Sequence, residues 1–478
     1  MTVSAPVIHY IQAPTFQDRD WVVKLLLLLL PFGLYGAPLS GAVFLPLLTV
    51  AGAWSLRDGM PGAGNGSGAS TLQGRVLALA LPWLPFLFYA LLSAAWALDT
   101  GSAVLLALRL WVLFGCGFYL LAQLSRLAPA RLARLLAALA WGFVLVSLLV
   151  LLDFSTGGML ARHLHKGIDD AFMARNVYSR GSAVHAVLAV PLTLGLFRSG
   201  RRRLALGFLA LSLLVVLDGS QLAAKLALIL GLAAALAVFL VPRLRWLLLA
   251  GWAAAILLLP WVILPVHLAA PADWPKAGLV PTRELGLFEG WTLEGGRLHL
   301  PGTTLCRMVE TKPSALHRLY IWDFTDERIR ERPLFGWGLD AARRIPGGQT
   351  HVVAPHCPVR PSQPPAIDAQ LLPLHPHNAI LQVWLELGLV GALLGTAAFL
   401  TGLVRRFKSP DMAGFETESP YPRRIAWALV AGTGLAGTLS GLVSFGIWQE
   451  WWIAMLLLAA AMAAGAARLV ETVPGDGR

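Results

Sequence analysis

The chain has 478 residues, 57% of them hydrophobic and 13% charged, with 38 Lys and Arg against 26 Asp and Glu for a formal net charge of +12. Soluble domains run at roughly 45–50% apolar and about 25% charged residues, so these proportions exclude a soluble protein of this length, which would need far more polar surface. The basic excess does not read as a nucleic-acid footprint, because its arginines sit at helix ends and no separate basic domain is present to hold a duplex.

Apolar residues come in blocks of about 20, the length that crosses a hydrocarbon core of about 30 Å. Twelve spans are predicted, at 24–37, 39–55, 76–96, 104–124, 135–153, 178–197, 204–218, 220–241, 246–266, 376–402, 425–447 and 449–469. The first, second and seventh are short or contain Pro and Gly, and a buried or re-entrant segment is the alternative reading at those places. The first block lacks a small-residue cleavage site, so no cleavable signal peptide is expected. The stretch 59–73, rich in Gly, Ser and Asn, reads as a flexible linker. The predicted fold is an all-α polytopic membrane protein of about 12 transmembrane helices. It divides into N-terminal spans (1–266), a large loop domain (267–375) and C-terminal spans (376–478).

Basic residues orient these spans. Alternate loops carry Arg57 and Arg75; Arg126, Arg131 and Arg134; Arg198 and Arg201 to Arg203; Arg243 and Arg245; then Arg405, Arg406, Lys408, Arg423 and Arg424. The intervening loops 97–103 and 218–220 carry no Lys or Arg. This asymmetry places both termini in the cytoplasm and the loop 267–375 outside it. Within that loop, Ser314 to Arg332 reads as a helix with Ser314 as N-cap and Pro333 as its stop. Leu319, Trp322 and Ile329 can share one of its faces. Cys306 and Cys357 both fall in the loop, where a disulfide is possible, although spacing alone does not bring two sulfurs together. Cys116 lies in a span and reads as a packing residue.

The informative residues are the charges that break the hydropathy pattern. Arg180 and Lys225 lie near the external ends of the sixth and eighth spans, with Asp218 and Gln221 at the turn before the latter. Either they snorkel to the headgroups, or two cations on the side disfavoured by the positive-inside bias hold an anion such as a diphosphate. His185, in the sixth span, reads as a packed polar residue. A second constellation, His375-Pro376-His377-Asn378, stands where the loop enters the tenth span. Pro376 suits a first helical turn, a helix N-terminus favours anions, and an imidazole titrating near neutral pH suits a general base. On a helix Glu386 shares the face of His375 and reads as a buried partner for a polar group in the bundle. Two histidines one residue apart diverge on a helix and no third ligand is evident, so no metal is expected. No P-loop or zinc-hydrolase motif occurs.

The stretch HPHNAILQVWLELGLVGALL (375–394), preceded by RLYIWDFTDERIRERPLFGWGLD (318–340), resembles the signature of bacterial O-antigen ligases and the related O-antigen polymerases. Arg318, Trp322, Pro333, Gly336, Gly338, His377 and Asn378 carry the match. The resemblance implies a metal-independent, cofactor-free integral-membrane glycosyltransferase of GT-C-like fold in the bacterial inner membrane, its site on the periplasmic side. Such ligases move glycan from undecaprenyl diphosphate onto lipid A-core; the polymerases move it onto another lipid-linked repeat. By the same resemblance His377 would contact or deprotonate the acceptor hydroxyl. Arg318 would grip the diphosphate with Arg180, Lys225 and Arg175, while His375, Asn378, Glu386, Trp322 and Gln221 support the site. This sequence departs from the family where an Arg often follows Ser: Ser220 is followed by Gln221, with Lys225 a turn later as the candidate replacement. A transporter of lipid-linked glycan is the rival from another class. It would spread charges to mid-membrane and show repeat symmetry, whereas the charges here cluster at one face.

Overall fold

The computed structural model describes residues 20–56, 67–165, 167–168, 170–263, 266–268, 292–294, 297–300, 313–354, 367–408 and 421–472. Helices carry the fold. In chain order they are α1 (Asp20–Gly36), α2 (Gly41–Leu56), α3 (Ser67–Ala80), α4 (Leu84–Leu92), α5 (Thr100–Leu124), α6 (Pro129–Ser155), α7 (Met159–Leu164), α8 (Ala171–Val177), α9 (Ser179–Arg198), α10 (Arg202–Asp218), α11 (Leu222–Leu240), α12 (Leu244–Ile263), α13 (Pro313–Glu331), α14 (Ala379–Lys408), α15 (Tyr421–Val443) and α16 (Glu450–Thr472). Among the described residues nine helices are long and apolar enough to cross a membrane, or ten if α3 and α4, bent by 58°, form one span. The two other predicted spans fall on α1 and α10, each of 17 residues. The chain is thus a polytopic, helical membrane protein.

Two local expectations change. The stretch 59–73 is helical from Ser67 onward rather than a linker throughout. The loop 267–375 also holds two small sheets: β1 (Val266–Leu268), β2 (Thr292–Glu294) and β3 (Arg297–Leu300) in the order β1-β3-β2, and the antiparallel pair β4 (His351–Ala354) and β5 (Ile367–Gln370). Strands of three or four residues are too short for alternation to register in a sequence. In α13, Ser314 is the second helical residue, and the buried face is formed by Leu316, Ile321, Phe324 and Ile329, with Trp322 at its edge. Cys116 is a free, half-buried thiol in α5, and Cys306 and Cys357 lie outside the described residues.

Lipid tails are as apolar as leucine, so helices associate in a membrane chiefly by close packing, which small residues permit. The α11–α15 pair shows this. A Cβ on Gly231 would lie 2.9 Å from the Gly432 carbonyl oxygen, and one on Gly432 would lie 2.9 Å from the Gly231 oxygen and 2.8 Å from a Val190 methyl. The two helices run antiparallel, so this approach brings the start of α11 beside the end of α15.

A sharper feature lies in α14, whose regular backbone breaks at Gly388 (φ 61°, ψ −161°). The segment Pro333–Gly338, just after α13, docks across the break. Trp337 and Gly338 N–H donate to Leu385 and Glu386 oxygens at 2.9 and 2.8 Å, and Leu389 and Val390 N–H donate to Pro333 and Leu334 oxygens at 2.8 and 3.1 Å. Tyr89 of α4 donates its hydroxyl to Leu387 oxygen at 3.0 Å. Backbone groups freed at a helix break in an apolar interior need such partners. Gly336 (φ 68°) is required there, because a Cβ would sit 2.4 Å from the Glu386 carbonyl carbon. Gly336→Ala combines left-handed strain with overpacking, a loss on the order of 3 kcal/mol. A clear drop in the thermal midpoint of the detergent-solubilised protein is expected, whereas Gly207→Ala, whose Cβ meets nothing within 4 Å, should leave it in place. Equal midpoints for the two variants would contradict the docking.

Candidate active site

A hub of buried hydrogen bonds lies two residues before the break in α14. Glu386 is fully buried, and its carboxylate accepts the backbone N–H of Asp340 at 2.6 Å and of Ala342 at 3.4 Å, the Trp448 indole N–H at 2.7 Å and the Gln382 amide at 3.0 Å. Four donors on one carboxylate satisfy a group that would otherwise be costly to enclose. Gln382 passes the link on by accepting the Ile447 N–H at 3.0 Å. Glu386 therefore ties the 336–342 segment, α14 and the 444–449 turn into one frame, and its enclosure keeps it from touching a substrate.

The His-Pro-His-Asn segment differs from the helical expectation. Asn378, not a residue before Pro376, caps α14: its Oδ1 accepts the N–H of Ile380 at 3.0 Å and of Leu381 at 3.1 Å. Both histidines thus precede the helix, and the shared face of His375 and Glu386 and the divergence of the two rings do not apply. The rings meet at 4.4 Å between centroids. His377 has a positive φ of 50°, a conformation that costs a non-glycine residue and persists only where its surroundings hold it. Trp322 of α13 donates its indole N–H to the Pro376 oxygen at 2.9 Å, and the His377 N–H donates to His375 Nδ1 at 3.1 Å.

His377 Nδ1 lies 3.1 Å from the Ser444 carbonyl oxygen. A carbonyl only accepts, so the imidazole proton sits on Nδ1 and Nε2 carries a free lone pair. Burial holds the His377 pKa below the usual imidazole range, with the nearby charge of Arg318 and His317 acting in the same direction against the Ser444 bond. His375 is 8% exposed and is pushed down to about 3, chiefly by burial, then by His377, Arg343 and Arg180.

Arg318, on α13, is more than half buried and its Nε has no hydrogen-bond partner; desolvation lowers its pKa. Gln221, at the start of α11, donates its amide to Ser444 Oγ at 3.0 Å, while its own buried oxygen is unpartnered. Arg180 is exposed and stacks over Trp451 at 5.8 Å. Lys225, a turn beyond Gln221, is half-buried with no ion-pair partner among the described residues. Arg175 is engaged elsewhere, 3.4 Å from Asp218 and over the Phe154 ring. His185 is fully enclosed, between the Tyr35 hydroxyl at 3.1 Å and Ser212 Oγ at 2.8 Å. One end of the bundle thus gathers His375, His377, Asn378, Trp322, Arg318, Gln221 and Arg180, with Arg175 on a separate partner. Ser444, Gln449, His317 and Arg343 join the site without a sequence signal of their own, since each is a common polar residue in a turn, on a helix surface or in an irregular segment. Among the described residues no group of three or more His, Cys, Asp or Glu is placed to hold a metal.

A histidine whose folded pKa is depressed stabilises the fold above its unfolded value of 6.5 and loses that contribution as pH falls toward the folded value. For His375 the loss at pH 5 is about 2 kcal/mol. The thermal midpoint should therefore fall between pH 7.5 and pH 5, and His375→Gln should flatten the slope; identical slopes would rule out a neutral, buried His375.

Residues 207–395 match the family model described as O-antigen ligase, a stretch that includes Gln221, Lys225, Arg318, Trp322, the two histidines, Asn378 and Glu386. The chain is 26% identical over 371 residues to a Rickettsia conorii protein named as a polysaccharide ligase, covering 77% of this chain and 75% of that one. A Rickettsia felis protein of the same description is 25% identical over 373 residues, 77% of this chain and 76% of its own. A Rickettsia prowazekii counterpart is 33% identical over 150 residues, 31% of each.

Proposed function

We propose, from the premise that the chain belongs to the O-antigen ligase family of polysaccharide ligases, that it transfers a glycan from undecaprenyl diphosphate to a hydroxyl of lipid A-core. In this reading the chain crosses the bacterial inner membrane twelve times with both termini in the cytoplasm. The 267–375 domain and the site then face the periplasm. Arg131, Arg245 and Arg468 belong to the opposite end of the bundle, where Arg131 pairs with Asp20, Arg468 donates to the Leu124 and Leu127 oxygens, and Arg245 stacks over Trp427, in keeping with that orientation.

The observation that carries the proposal is the pairing of a lone-pair-bearing His377 Nε2 with an unsatisfied, buried Arg318 on the facing helix. The acceptor hydroxyl attacks the anomeric carbon of the glycan, the bond from that carbon to the diphosphate oxygen breaks, and undecaprenyl diphosphate leaves. His377 Nε2 takes the hydroxyl proton. Negative charge grows on the diphosphate as the bond breaks, and Arg318, Arg180 and Lys225 stabilise it where it appears. A planar guanidinium with a free Nε–H suits a bidentate grip on phosphate oxygens.

The test is transfer by purified protein from an undecaprenyl diphosphate-linked glycan, with lipid A-core in one reaction and only further lipid-linked glycan in the other. Product on lipid A-core is expected, with His377→Ala lowering it by about 10²–10⁴-fold. Arg318→Lys, which keeps the charge but loses the fork, should retain only part of the rate. A ladder on the lipid carrier would make the protein a polymerase, and absence of product with competent substrates would overturn the transferase reading. Because the His377 pKa lies below 6.5, the base form prevails at neutral pH and the rate should fall only as pH drops below that value.

A further inference from the structure

His377 owes its conformation to groups that face away from any substrate. We infer that Gln449, acting through His375, is a positioning residue that holds His377 in the left-handed backbone conformation from which its Nε2 faces the acceptor. The inference rests on the transferase reading of the site above.

The chain of contacts is short. The His377 backbone N–H can only donate, so His375 Nδ1, 3.1 Å away, must present its lone pair. The proton of a neutral His375 then sits on Nε2, 3.0 Å from the Gln449 amide nitrogen; two donors make no bond, so Gln449 accepts this proton only by turning its amide oxygen to it. That oxygen otherwise accepts the Trp451 indole N–H at 3.2 Å, so the two donors compete for it, and Trp451 in turn carries Arg180 over its ring. Gln449 is itself fixed at the start of α16, where its backbone oxygen accepts the N–H of Trp452 at 2.9 Å and of Ile453 at 3.0 Å.

The floor beneath His375 is Gly446. A Cβ there would lie 2.9 Å from His375 Cγ, 3.1 Å from its Cβ and 2.9 Å from Gln382 Oε1, so the imidazole and the Gln382 amide occupy space that any other residue would fill. His375 is thus boxed by Gly446 below, by Gln449 at Nε2 and by His377 at Nδ1 and across the rings. A ring free to turn would release the His377 N–H and with it the positive φ, a state that needs such support. The second arm, Gln221 to Ser444 to His377 Nδ1, sets the tautomer but not the backbone. A displacement of about 1 Å at a reacting group costs as much as 10²-fold in rate.

The experiment measures kcat and KM for transfer from the lipid-linked glycan, together with the thermal midpoint, in Gln449→Leu, Gln449→Glu, Gly446→Ala and His377→Ala and in the pair Gln449→Leu/His377→Ala. Gln449→Leu is expected to lower kcat by about 10- to 100-fold with KM unchanged. Gln449→Glu, whose two oxygens can take the His375 and Trp451 protons separately, should restore most of the rate. In the His377→Ala background Gln449→Leu should cost nothing further, because residues acting as a unit are not additive. Gly446→Ala, which pushes the same ring from below, should reproduce the kcat loss and keeps the inference open to refutation if Gln449→Leu fails to fold. Full activity in Gln449→Leu, a rise in KM alone, or an equal loss with and without His377 would each overturn the positioning role. Full activity in His377→Ala would instead defeat the catalytic reading on which it depends.

Discussion

The site depends on one constraint: α14 breaks at Gly388 inside an apolar bundle, and its freed carbonyl and amide groups need partners that no lipid can supply. Pro333–Gly338 supplies them, with Tyr89 covering the Leu387 oxygen. The Pro-x-x-Gly-x-Gly order then has a mechanical reading. Proline ends α13 and lends its carbonyl, and the first glycine lets one backbone lie against another at a distance no side chain tolerates. The second glycine, at 338, has a positive φ of 90°, and a Cβ there would lie 2.4 Å from Ala97. α13 is thereby locked to α14, which fixes Arg318 and Trp322 relative to His377. Glu386, adjacent in sequence to the break, adds side-chain bonds to the same junction and joins it to Trp448.

A second approach of backbones completes the frame from the other side. Gly231 and Gly432 allow α11 and α15 to pack at contact distance, and their antiparallel course carries Gln221 to Ser444. The tautomer of His377 is set by Ser444, at the end of α15, so a pair of glycines deep in the bundle bears on which imidazole nitrogen can act as a base. Small residues in membrane helices are often read as dimer contacts between chains; here they bring two ends of one chain together.

Much of this architecture was legible in the sequence, for definite reasons. Blocks of apolar residues the length of a bilayer give helices almost regardless of detail, so every predicted span falls on helix, and the charges that interrupt the pattern, Arg180 and Lys225, fall at one end. What misled was local chemistry near proline. Pro376 fits the first turn of a helix, but Asn378 caps the helix two residues later, because an amide oxygen satisfies two orphan N–H groups that proline cannot. That shift turned two histidines expected on divergent faces into a pair of rings in contact, tilted 60° to each other. Gln449 and Ser444 were invisible for a different reason: their roles come from backbone carbonyls and from neighbours 70 residues away, which composition and spacing do not encode.

The electrostatics of the site follow from the same geometry. Arg318 bears on His377, and Arg343 and Arg180 on His375, so cations and burial together hold both imidazoles neutral. On the proposed reading two of these cations, Arg318 and Arg180, also meet the diphosphate. Its negative charge then offsets theirs, and the pull of the Arg318 charge that held the His377 pKa down weakens once the donor is in place. A base that is neutral beforehand thus gains proton affinity when the donor arrives, and gains more as charge develops on the leaving group. Desolvation, the larger contribution, persists throughout, so the imidazole stays ready to accept a proton without being protonated from solvent beforehand. Arg318 and Arg180, placed by α13 and α9, would in this way serve both the leaving group and the histidines.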